Sequence, residues 1–179
     1  IAADAIIIYA KRHSEKALDL AKNEKNKKRK DELKLIAKIC DNVPKNAPRT
    51  FHEALQHYWF VHLGVITELN TWDSFNPGRL DQHLLPFYQE GLENGVITKD
   101  FAKELLQSFW IKFNNQPAPP KVGVTAEESN TYTDFCLINL GGLTENGRDG
   151  VNELSYLILE VIEEMRILQP SSMVQISKK

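Results

Sequence analysis

A segment that is apolar on almost every side is the feature that most constrains the fold of this chain. Thr50 and Glu53 stand three residues apart, the spacing of a capping box, and predict that a helix begins there. The helix then runs through the mostly apolar residues Phe51, Ala54, Leu55, Tyr58, Trp59, Val61 and His62. A surface helix is apolar along one stripe only, so this pattern predicts a helix buried inside a large protein.

The composition is that of an ordinary globular chain. Its 179 residues are 42% hydrophobic and 26% charged, and its net charge of -2 gives no surplus that favours a polyanion. The longest apolar run near the start, residues 5–10, is far shorter than the roughly 20 residues of a membrane span and has no basic leader. Cys40 and Cys136 supply neither a zinc knuckle nor a disulfide framework. We therefore expect a cytoplasmic protein that binds neither nucleic acid nor membranes.

Both ends predict that the chain is an excerpt from a longer protein. Residue Ile1 is not Met, and the first residues read as the middle of an apolar helix. Residues 173–179 alternate between apolar and polar, like a strand cut as it begins to pair.

The first 40 or so residues predict two antiparallel helices. Their apolar stripes are Ile7, Ala10, Ala17, Leu20 and Ala21 on the first, and Leu33, Ile36, Ala37 and Cys40 on the second. A basic run at residues 22–30 lies between them. Because no aromatic residue interleaves this run, we favour a solvated connection over a nucleic-acid or membrane surface.

The second half alternates predicted helices with turns. Asn76-Pro77-Gly78 predicts a turn, and residues 79–88 predict a short helix broken by Pro86. Thr98 predicts the cap of a helix that carries Phe101, Leu105, Phe109 and Phe113. Residues 114–150 predict a long irregular loop with a functional role, and a last helix from residue 151 is expected to end at Pro170.

Familiar catalytic patterns are weak here. His52 and His57 resemble a zinc-protease pair, but five-residue spacing on a helix points the two rings about 140° apart, so we expect no metal site. Gly141-Gly142 is interpreted as a turn. Cys136 is interpreted as a buried structural thiol, since no neighbour in sequence would lower its pKa.

Asp73 has two readings on residue chemistry alone. It stands where the apolar helix gives way to a turn, a place from which side chains can reach a cavity. There it could accept a hydrogen bond from a substrate ammonium group, or it could cap the turn and pair with Arg79. Turn chemistry favours the second reading, and periodicity takes the argument no further than a large, mostly helical protein.

Four longer strings resemble the glycyl radical enzymes, the superfamily of pyruvate formate-lyase. They are DSFNPGRLDQHLLPFY from Asp73, FNNQPAPPKVGVT from Phe113, ESNTYTDF from Glu128, and the whole of residues 151–179. Together they make the resemblance cover nearly the whole chain. Within the superfamily, the strings are most similar to the branch that dehydrates trans-4-hydroxy-L-proline.

The resemblance implies an α/β fold: a mostly helical, truncated segment of a roughly ten-stranded α/β barrel. Residues 1–179 would be a single piece of a pyruvate formate-lyase-type catalytic domain. In that family a glycine stores a radical and passes it to a cysteine, and these two sit in Arg-Val-Ala-Gly-Tyr and Gly-Cys-Val-Glu strings. Neither string occurs here, so we expect no catalytic residue and no metal ligand in this segment, and the excerpt alone is predicted to be inactive.

The resemblance also implies the chemistry and partners of the parent protein. A thiyl radical would remove hydrogen from the carbon beside the ring nitrogen, the neighbouring hydroxyl would leave as water, and the product would be pyrroline-5-carboxylate. The parent would be an anaerobic, cytoplasmic homodimer. A separate iron-sulfur enzyme that uses S-adenosylmethionine would install its glycyl radical, and the segment itself would bind no cofactor.

Three residues are carried over as substrate contacts. The resemblance places Asp73 at the charged ring nitrogen, Ser129 in a loop near the substrate, and Phe135 in an apolar wall. Each has a structural alternative, since Ser129 could cap a turn and Phe135 could be core. Diol-dehydrating relatives tend to have His at the position of Asp73, so an acid there favours a cationic substrate.

Two other readings remain open. The first is another glycyl radical lyase: an isethionate sulfite-lyase, a choline lyase, a diol dehydratase or an arylacetate decarboxylase. Asp73 argues against the anionic isethionate but would suit choline. The second is a non-catalytic helical fragment that has kept the fold and lost the chemistry.

Overall fold

The computed structural model describes residues 1–68, 75–115 and 136–176. Within these ranges it has six helices and three short strands. The helices are α1 (Ala2–Asn23), α2 (Lys27–Asn42), α3 (Phe51–Glu68), α4 (Leu80–Glu93), α5 (Lys99–Asn115) and α6 (Glu153–Met165). The strands are β1 (Gly78–Arg79), β2 (Leu137–Gly141) and β3 (Ser171–Gln175). None of the helices in these ranges is long and apolar enough to cross a membrane.

The chain divides into two compact units, Ile1–Gly64 and Val65–Lys179. In the first unit, α1 and α2 form the predicted antiparallel pair, because Ala10 near the start of α1 packs with Cys40 near the end of α2. The stripe on α1 is confirmed at Ala17 and wrong at Leu20, which is 47% exposed. Ser14 is buried instead, because it lies about one helical turn from the buried residues Ala10 and Ala17.

The stripe on α2 is confirmed, with Leu33, Ala37 and Cys40 buried. The basic run before it is mostly exposed, as a solvated connection requires. Part of that run is already helical: α2 begins at Lys27, and the side-chain oxygen of Asn26 caps it by accepting a hydrogen bond from the Arg29 N–H at 3.1 Å.

Helix α3 is buried or half-buried on every side from Phe51 to Ile66, in agreement with its prediction. No residue from Phe51 to Ile66 is exposed. Thr50 caps the helix by accepting a hydrogen bond from the Glu53 N–H at 3.2 Å. The second half of the predicted capping box is displaced by one residue, because the Glu53 carboxylate accepts from the N–H and guanidinium of Arg49. These bonds outweigh burial, which alone raises the pKa of Glu53, and hold that pKa below its ordinary value.

In the second unit, the three strands form a parallel sheet in the order β1-β2-β3. Gly78 is paired with Ile138 in one pair, and Leu137 with Ser171 in the other, so the amino ends of the strands lie at one edge. Helices connect consecutive strands, as parallel pairing requires. The strand predicted near the end of the chain is confirmed as β3.

Several predictions in this unit are wrong. Residues 114–150 are not irregular throughout, because Leu137–Gly141 form β2. Gly78 and Arg79 form β1, where the end of a turn and the start of a helix were predicted. Pro86 lies inside α4 and does not break it. The burial of Leu84 and Tyr88 on either side offsets the cost of about 3 kcal/mol that a proline inside a helix carries through its lost hydrogen bond and its ring clash. Helix α6 ends at Met165, where Arg166 adopts a left-handed conformation, so Pro170 lies beyond its end.

Helix α4 packs on β2 and on α6, and α5 packs on α6. The Thr98 cap is confirmed by a hydrogen bond of 3.1 Å from the Phe101 N–H. Fully buried side chains fill the core of this unit: Leu106, Trp110, Phe113, Ile138, Leu140, Leu154, Leu157 and Ile158.

Candidate functional site

The predicted substrate residues Asp73, Ser129 and Phe135 lie outside the described residues, in the gaps 69–74 and 116–135. The structure does describe the residues that border these gaps. Their contacts locate where the two segments join the sheet.

The chain entering β1 and the chain entering β2 contact each other. The Leu137 N–H donates a hydrogen bond of 2.7 Å to the side-chain oxygen of Asn76. One residue earlier on each segment, the Cys136 thiol lies 3.7 Å from the Phe75 carbonyl oxygen and donates to it. Both contacts lie at the amino edge of the sheet, immediately before the pairing of Gly78 with Ile138.

The start of β3 meets the same edge. The Ser171 N–H donates to the Cys136 carbonyl at 3.1 Å, and the Gln169 N–H donates to the Asn114 side chain at 3.4 Å. Asn114 stands at the end of α5, just before the second gap, and Cys136 stands just after it. Both borders of that gap, and the later border of the first gap, therefore lie at the amino edge of the sheet.

The sequence explains why the segment before β1 is stiff. Pro77 fixes its own φ and restricts Asn76 to extended conformations. Gly78 has a φ of 69°, in the left-handed region that glycine adopts without strain. The string that predicted a turn therefore sets the direction in which Asn76 enters the sheet.

Both cysteines are buried, which confirms Cys136 as a buried thiol. Cys136 is 0% exposed and Cys40 is 4% exposed. Cys40 packs against Ala10 and Phe60 in the first unit. Neither environment presents a thiol to a substrate.

The histidines of α3 pack inside the first unit. His62 is fully buried, stacks on Trp59 with ring centroids 5.2 Å apart, and has its Nδ1 3.3 Å from the Tyr58 hydroxyl. Burial lowers the pKa of His57, and a hydrogen bond between its ring and the Asn46 backbone carbonyl, which favours the charged ring, opposes that shift only in part. Within the described ranges, no group of three His, Cys, Asp or Glu residues could hold a metal ion.

Sequence reasoning missed a buried carboxylate at the opposite, carboxyl edge of the sheet. Asp81, in the first turn of α4, is 0% exposed. One of its oxygens accepts from the Gly141 N–H at the end of β2 and from the Ser155 hydroxyl in α6, and the other accepts from the Gln82 N–H. This carboxylate therefore joins the starts of two helices to the end of the central strand.

Further contacts hold the same edge. The Gln82 side chain donates to the Gly141 carbonyl at 2.8 Å, and the Gly142 N–H donates to the Gln175 carbonyl at 2.9 Å. Gly141 and Gly142 both have positive φ angles, which supports their interpretation as a turn. The capping box of Asn152 and Ser155 was a sequence signal for the start of α6, and Asp81 in a first helical turn was a weaker one.

Comparisons with known proteins agree with this architecture. A model of the pyruvate formate lyase-like family matches residues 1–179. Trans-4-hydroxy-L-proline dehydratase of Clostridioides difficile is 60% identical over 179 residues, which are 100% of this chain and 23% of that protein. Isethionate sulfite-lyase of Nitratidesulfovibrio vulgaris is 39% identical over 95% of this chain and 20% of its own length.

A solved structure gives the same result. The crystal structure of hydroxyproline dehydratase from Clostridioides difficile, with trans-4-hydroxy-L-proline bound, matches with a TM-score of 0.90 and 60% identity. The match covers 98% of this chain and 22% of that one. The chain thus spans less than a quarter of the relatives it matches, and the mostly helical segment with its small parallel sheet is a truncated part of their barrel.

Proposed function

The chain belongs to the pyruvate formate lyase-like family, and from that premise we propose that its parent protein is a glycyl radical lyase that eliminates water from trans-4-hydroxy-L-proline. One observation carries the proposal: 60% identity over the whole chain to a hydroxyproline dehydratase, against 39% to an isethionate sulfite-lyase. The product would be pyrroline-5-carboxylate. Residues 1–179 would be one piece of the catalytic domain, and both radical-carrying residues would lie outside it.

The substrate site would lie at the amino edge of the sheet. Asp73 precedes Phe75 by two residues and Phe135 precedes Cys136 by one, and Phe75 and Cys136 contact each other. Since one residue of chain spans at most about 3.6 Å, these two candidates are attached to neighbouring points of the fold. Ser129 belongs to the segment whose two borders lie at the same edge.

Asp73 would recognise the charge of the substrate. The ring nitrogen of hydroxyproline is a secondary ammonium, and a carboxylate that faces it forms a charge-assisted hydrogen bond. The same carboxylate would repel the sulfonate of isethionate, which makes that substrate a poor fit. Phe135 would form an apolar wall beside the ring, and Ser129 would support the polar contacts.

Neither cysteine of this chain fits the role of the radical-carrying thiol. The thiol of Cys136 donates to a backbone carbonyl at 3.7 Å, Cys40 is enclosed by apolar side chains, and both are buried. In the whole enzyme the glycyl radical supplies, through a cysteine, the abstraction of hydrogen from the substrate carbon. This chain would contribute only substrate binding and orientation, so the excerpt alone would be inactive.

The parent would work in an oxygen-free cytoplasm as a homodimer. An activating enzyme that carries an iron-sulfur cluster and uses S-adenosylmethionine would install the radical on the parent's glycine. These proposals follow from the family, whose relatives include a 4-hydroxyphenylacetate decarboxylase glycyl radical subunit that is 34% identical over 79% of this chain.

The test is an anaerobic assay of the full-length parent after activation. Hydroxyproline, isethionate, choline and glycerol are each supplied, and the parent is compared with its Asp73→Asn variant. Losing a charge-assisted hydrogen bond worth about 1.5–3 kcal/mol should lower kcat/KM for hydroxyproline roughly 10- to 100-fold. Asp19→Asn, at an exposed position on α1, is the matched control and should leave kcat/KM unchanged.

Each outcome has a distinct meaning. Turnover of hydroxyproline alone, with the loss confined to Asp73→Asn, supports both the reaction and the role of Asp73. Turnover of a different substrate rejects hydroxyproline but keeps the family. If the activated parent shows no glycyl radical signal and no turnover, the non-catalytic reading takes its place.

A further inference from the structure

The tripeptide Glu-Asn-Gly occurs twice in the chain, at residues 93–95 and 145–147. Both copies are exposed, and in both the glycine has a positive φ, 67° at Gly95 and 71° at Gly147. A Cβ added to either glycine would meet nothing within 4 Å. The two copies therefore share their local sequence and their open surroundings, and a difference in their chemistry would come from the backbone that holds them.

Asparagine followed by glycine is a dipeptide in which a side-chain amide can react with its own backbone. The glycine nitrogen loses its proton and attacks the side-chain carbonyl carbon of the asparagine, a succinimide ring closes, and the amide nitrogen leaves as ammonia. A water molecule then opens the ring at either carbonyl and leaves aspartate or isoaspartate, so the net change converts an amide and water to a carboxylic acid and ammonia. Glycine favours the attack because it has no Cβ to obstruct its nitrogen.

A folded backbone slows this reaction in two ways. A hydrogen bond from the glycine N–H opposes loss of its proton, and the chain must rotate about the asparagine ψ to bring the nitrogen to the side chain. Gly95 donates such a bond to the Leu92 carbonyl at 3.1 Å. Gly147 donates one to the Thr144 carbonyl at 2.9 Å. Each site must therefore open locally before it reacts, and its rate depends on the free energy of that opening.

The copy at residues 93–95 is held by a buried side chain. Asn94 ends α4, and the N–H groups of Val96 and Ile97 both donate to the Gly91 carbonyl, at 2.8 and 3.1 Å. The Ile97 side chain is only 6% exposed and lies so close to Gly91 that a Cβ added there would meet it at 2.9 Å. Rotation at Asn94 would break these hydrogen bonds and expose Ile97, which makes opening costly.

The copy at residues 145–147 forms the tip of a hairpin. Leu143 pairs with Asp149, and the Thr144 N–H donates to the Arg148 carbonyl at 2.8 Å. No residue from Leu143 to Asp149 is buried, and every residue after Thr144 in this stretch is exposed. Solvent competes for the hydrogen-bonding groups of the hairpin, so its opening costs less than that of the α4 end.

We propose that Asn146 is a site of spontaneous deamidation in the folded parent protein, whereas Asn94, in the same tripeptide, is protected by the end of α4. Water is the only reagent, and the products are aspartate or isoaspartate in place of Asn146, with release of ammonia. Either product adds a negative charge next to Glu145. Isoaspartate also lengthens the backbone inside the hairpin, which would disturb the pairing of Leu143 with Asp149. This inference does not rest on the proposed function.

The test needs no activated enzyme. The full-length parent is incubated in mildly alkaline buffer made with heavy-oxygen water, digested in ordinary water, and each peptide is quantified by mass spectrometry. Heavy oxygen marks deamidation that occurred during the incubation, and backbone fragmentation distinguishes isoaspartate from aspartate. Asn146 should deamidate at least about tenfold faster than Asn94, which corresponds to a difference in opening free energy of roughly 1.4 kcal/mol.

The matched control is the same incubation of the parent unfolded in urea. The two rates should then converge, because the local sequence is shared. Equal rates in the folded parent, or a faster rate at Asn94, would overturn the inference. Labelling of Asn146 in urea but not in the folded parent would also overturn it, since the hairpin would then be protected in the whole protein.

Two variants test the cause of the difference. Ile97→Ala removes the buried side chain and should accelerate deamidation of Asn94 while Asn146 keeps its wild-type rate. Asn146→Gln should abolish labelling of its own peptide, because the longer side chain must close a larger ring, and should leave Asn94 unchanged. An unchanged rate at Asn94 in Ile97→Ala would contradict the protection assigned to α4.

A measurement on the wild type covers the case in which Ile97→Ala does not fold. Amide hydrogen exchange of the folded parent should be slower at Gly95 than at Gly147, because the α4 end opens less often. Exchange that is equally fast at both glycines, or faster at Gly95, would overturn the inference without any substitution.

Discussion

The two edges of the parallel sheet are held by opposite means. At the carboxyl edge, a fully buried carboxylate, Asp81, collects hydrogen bonds from β2, α4 and α6. At the amino edge, the exposed side chain of Asn76 and the thiol of Cys136 make the corresponding contacts. A buried charge that loses a partner costs several kcal/mol, whereas an exposed amide loses much less.

This difference bears on which edge of the sheet is suited to binding a ligand. In open parallel α/β sheets, ligands usually bind beyond the carboxyl ends of the strands. Here the described part of that edge is filled by protein: a Cβ added to Gly150 would lie 2.3 Å from the Gln82 side-chain nitrogen and 3.1 Å from the Gly142 oxygen. The amino edge carries both borders of the second gap and the later border of the first, and there we propose that the parent protein binds its substrate.

The strongest test of the comparison removes the buried carboxylate. Asp81→Ala would leave the Gly141 N–H and the Ser155 hydroxyl buried without their acceptor, at a cost of about 3–5 kcal/mol. Amide hydrogen exchange of the β2 peptide in the full-length parent should accelerate more than a hundredfold, since each 1.4 kcal/mol corresponds to about a factor of ten. The measurement does not depend on two-state unfolding of a large protein.

The control for this prediction is an exposed aspartate that also accepts a backbone hydrogen bond. Asp149 accepts from the Val151 N–H at 3.1 Å, and Asp149→Ala should cost at most about 1 kcal/mol. Equal exchange rates in the two variants would show that burial of Asp81 does not distinguish the edges. If Asp81→Ala raised KM for the substrate without accelerating exchange, the substrate would bind at the carboxyl edge, and the proposed site at the amino edge would be wrong.

A smaller effect should follow from a methyl group at Gly141. Its φ is +69°, and an added Cβ would meet the Gln175 carbonyl oxygen at 2.8 Å and a Val151 methyl at 3.0 Å. Gly147 has a similar φ, +71°, but nothing lies within 4 Å of its added Cβ. Both alanine variants carry the strain of about 1–2 kcal/mol for a left-handed residue, and only Gly141→Ala adds a clash.

We expect Gly141→Ala to be less stable than Gly147→Ala by about 1–3 kcal/mol, the usual cost of overpacking. Thermal unfolding and exchange of the β3 peptide in the parent would measure the difference. Equal stability of the two variants would mean that β3 shifts to make room for the methyl group at little cost. The carboxyl edge would then be less rigid than its contacts indicate.

The sequence predicted the elements whose signals are local. The apolar spacing of α1 to α3 identified helices, the Thr50 and Thr98 caps identified helix starts, and alternation identified β3. It missed β2 because five residues give too short a pattern, and both Ile138 and Leu140 are buried in a sheet that distant residues create. The predicted break at Pro86 was wrong for a similar reason: the packing of the helix outweighed the tendency of proline to end a helix.

The site residues were predicted from resemblance, and the described residues border the segments that carry them. Nothing in the local sequence showed that Asn76 and Leu137, 61 residues apart, would form a hydrogen bond. The network of Asp81 was missed because its partners come from three separate elements. Positions of this kind depend on the register of the sheet, which periodicity does not encode.

The smallest predicted effect concerns a group of surface ion pairs. It tests whether exposed charges stabilise this unit less than the buried carboxylate of Asp81 does. On the surface between α5 and α6, Lys103 forms an ion pair with Glu164 and lies 3.7 Å from Glu160, which also pairs with Lys99 at 3.2 Å. The hydrogen bond to Glu164, with the nearby carboxylates, raises the pKa of Lys103 above its ordinary value. The hydrogen bond from Lys99, aided by Lys103, lowers the pKa of Glu160.

The signs of these shifts define a pH window. The contribution of Lys103 is complete below its ordinary pKa of 10.5 and is lost as the pH rises through the higher, folded value. The contribution of Glu160 is complete above its ordinary pKa of 4.5 and is lost as the pH falls through the lower, folded value. The ion pairs therefore stabilise the helix pair across the neutral range and weaken at both extremes.

Lys103→Met should lower the melting temperature of the parent less than either Asp81→Ala or Gly141→Ala, because exposed ion pairs contribute little. The decrease should disappear in about 1 M salt, where charges are screened beyond roughly 3 Å. Lys38→Met, at an exposed position on α2, is the control for removing a surface charge. A decrease as large as that of Asp81→Ala that disappears in about 1 M salt would show that surface charge stabilises this part of the fold as strongly as burial does.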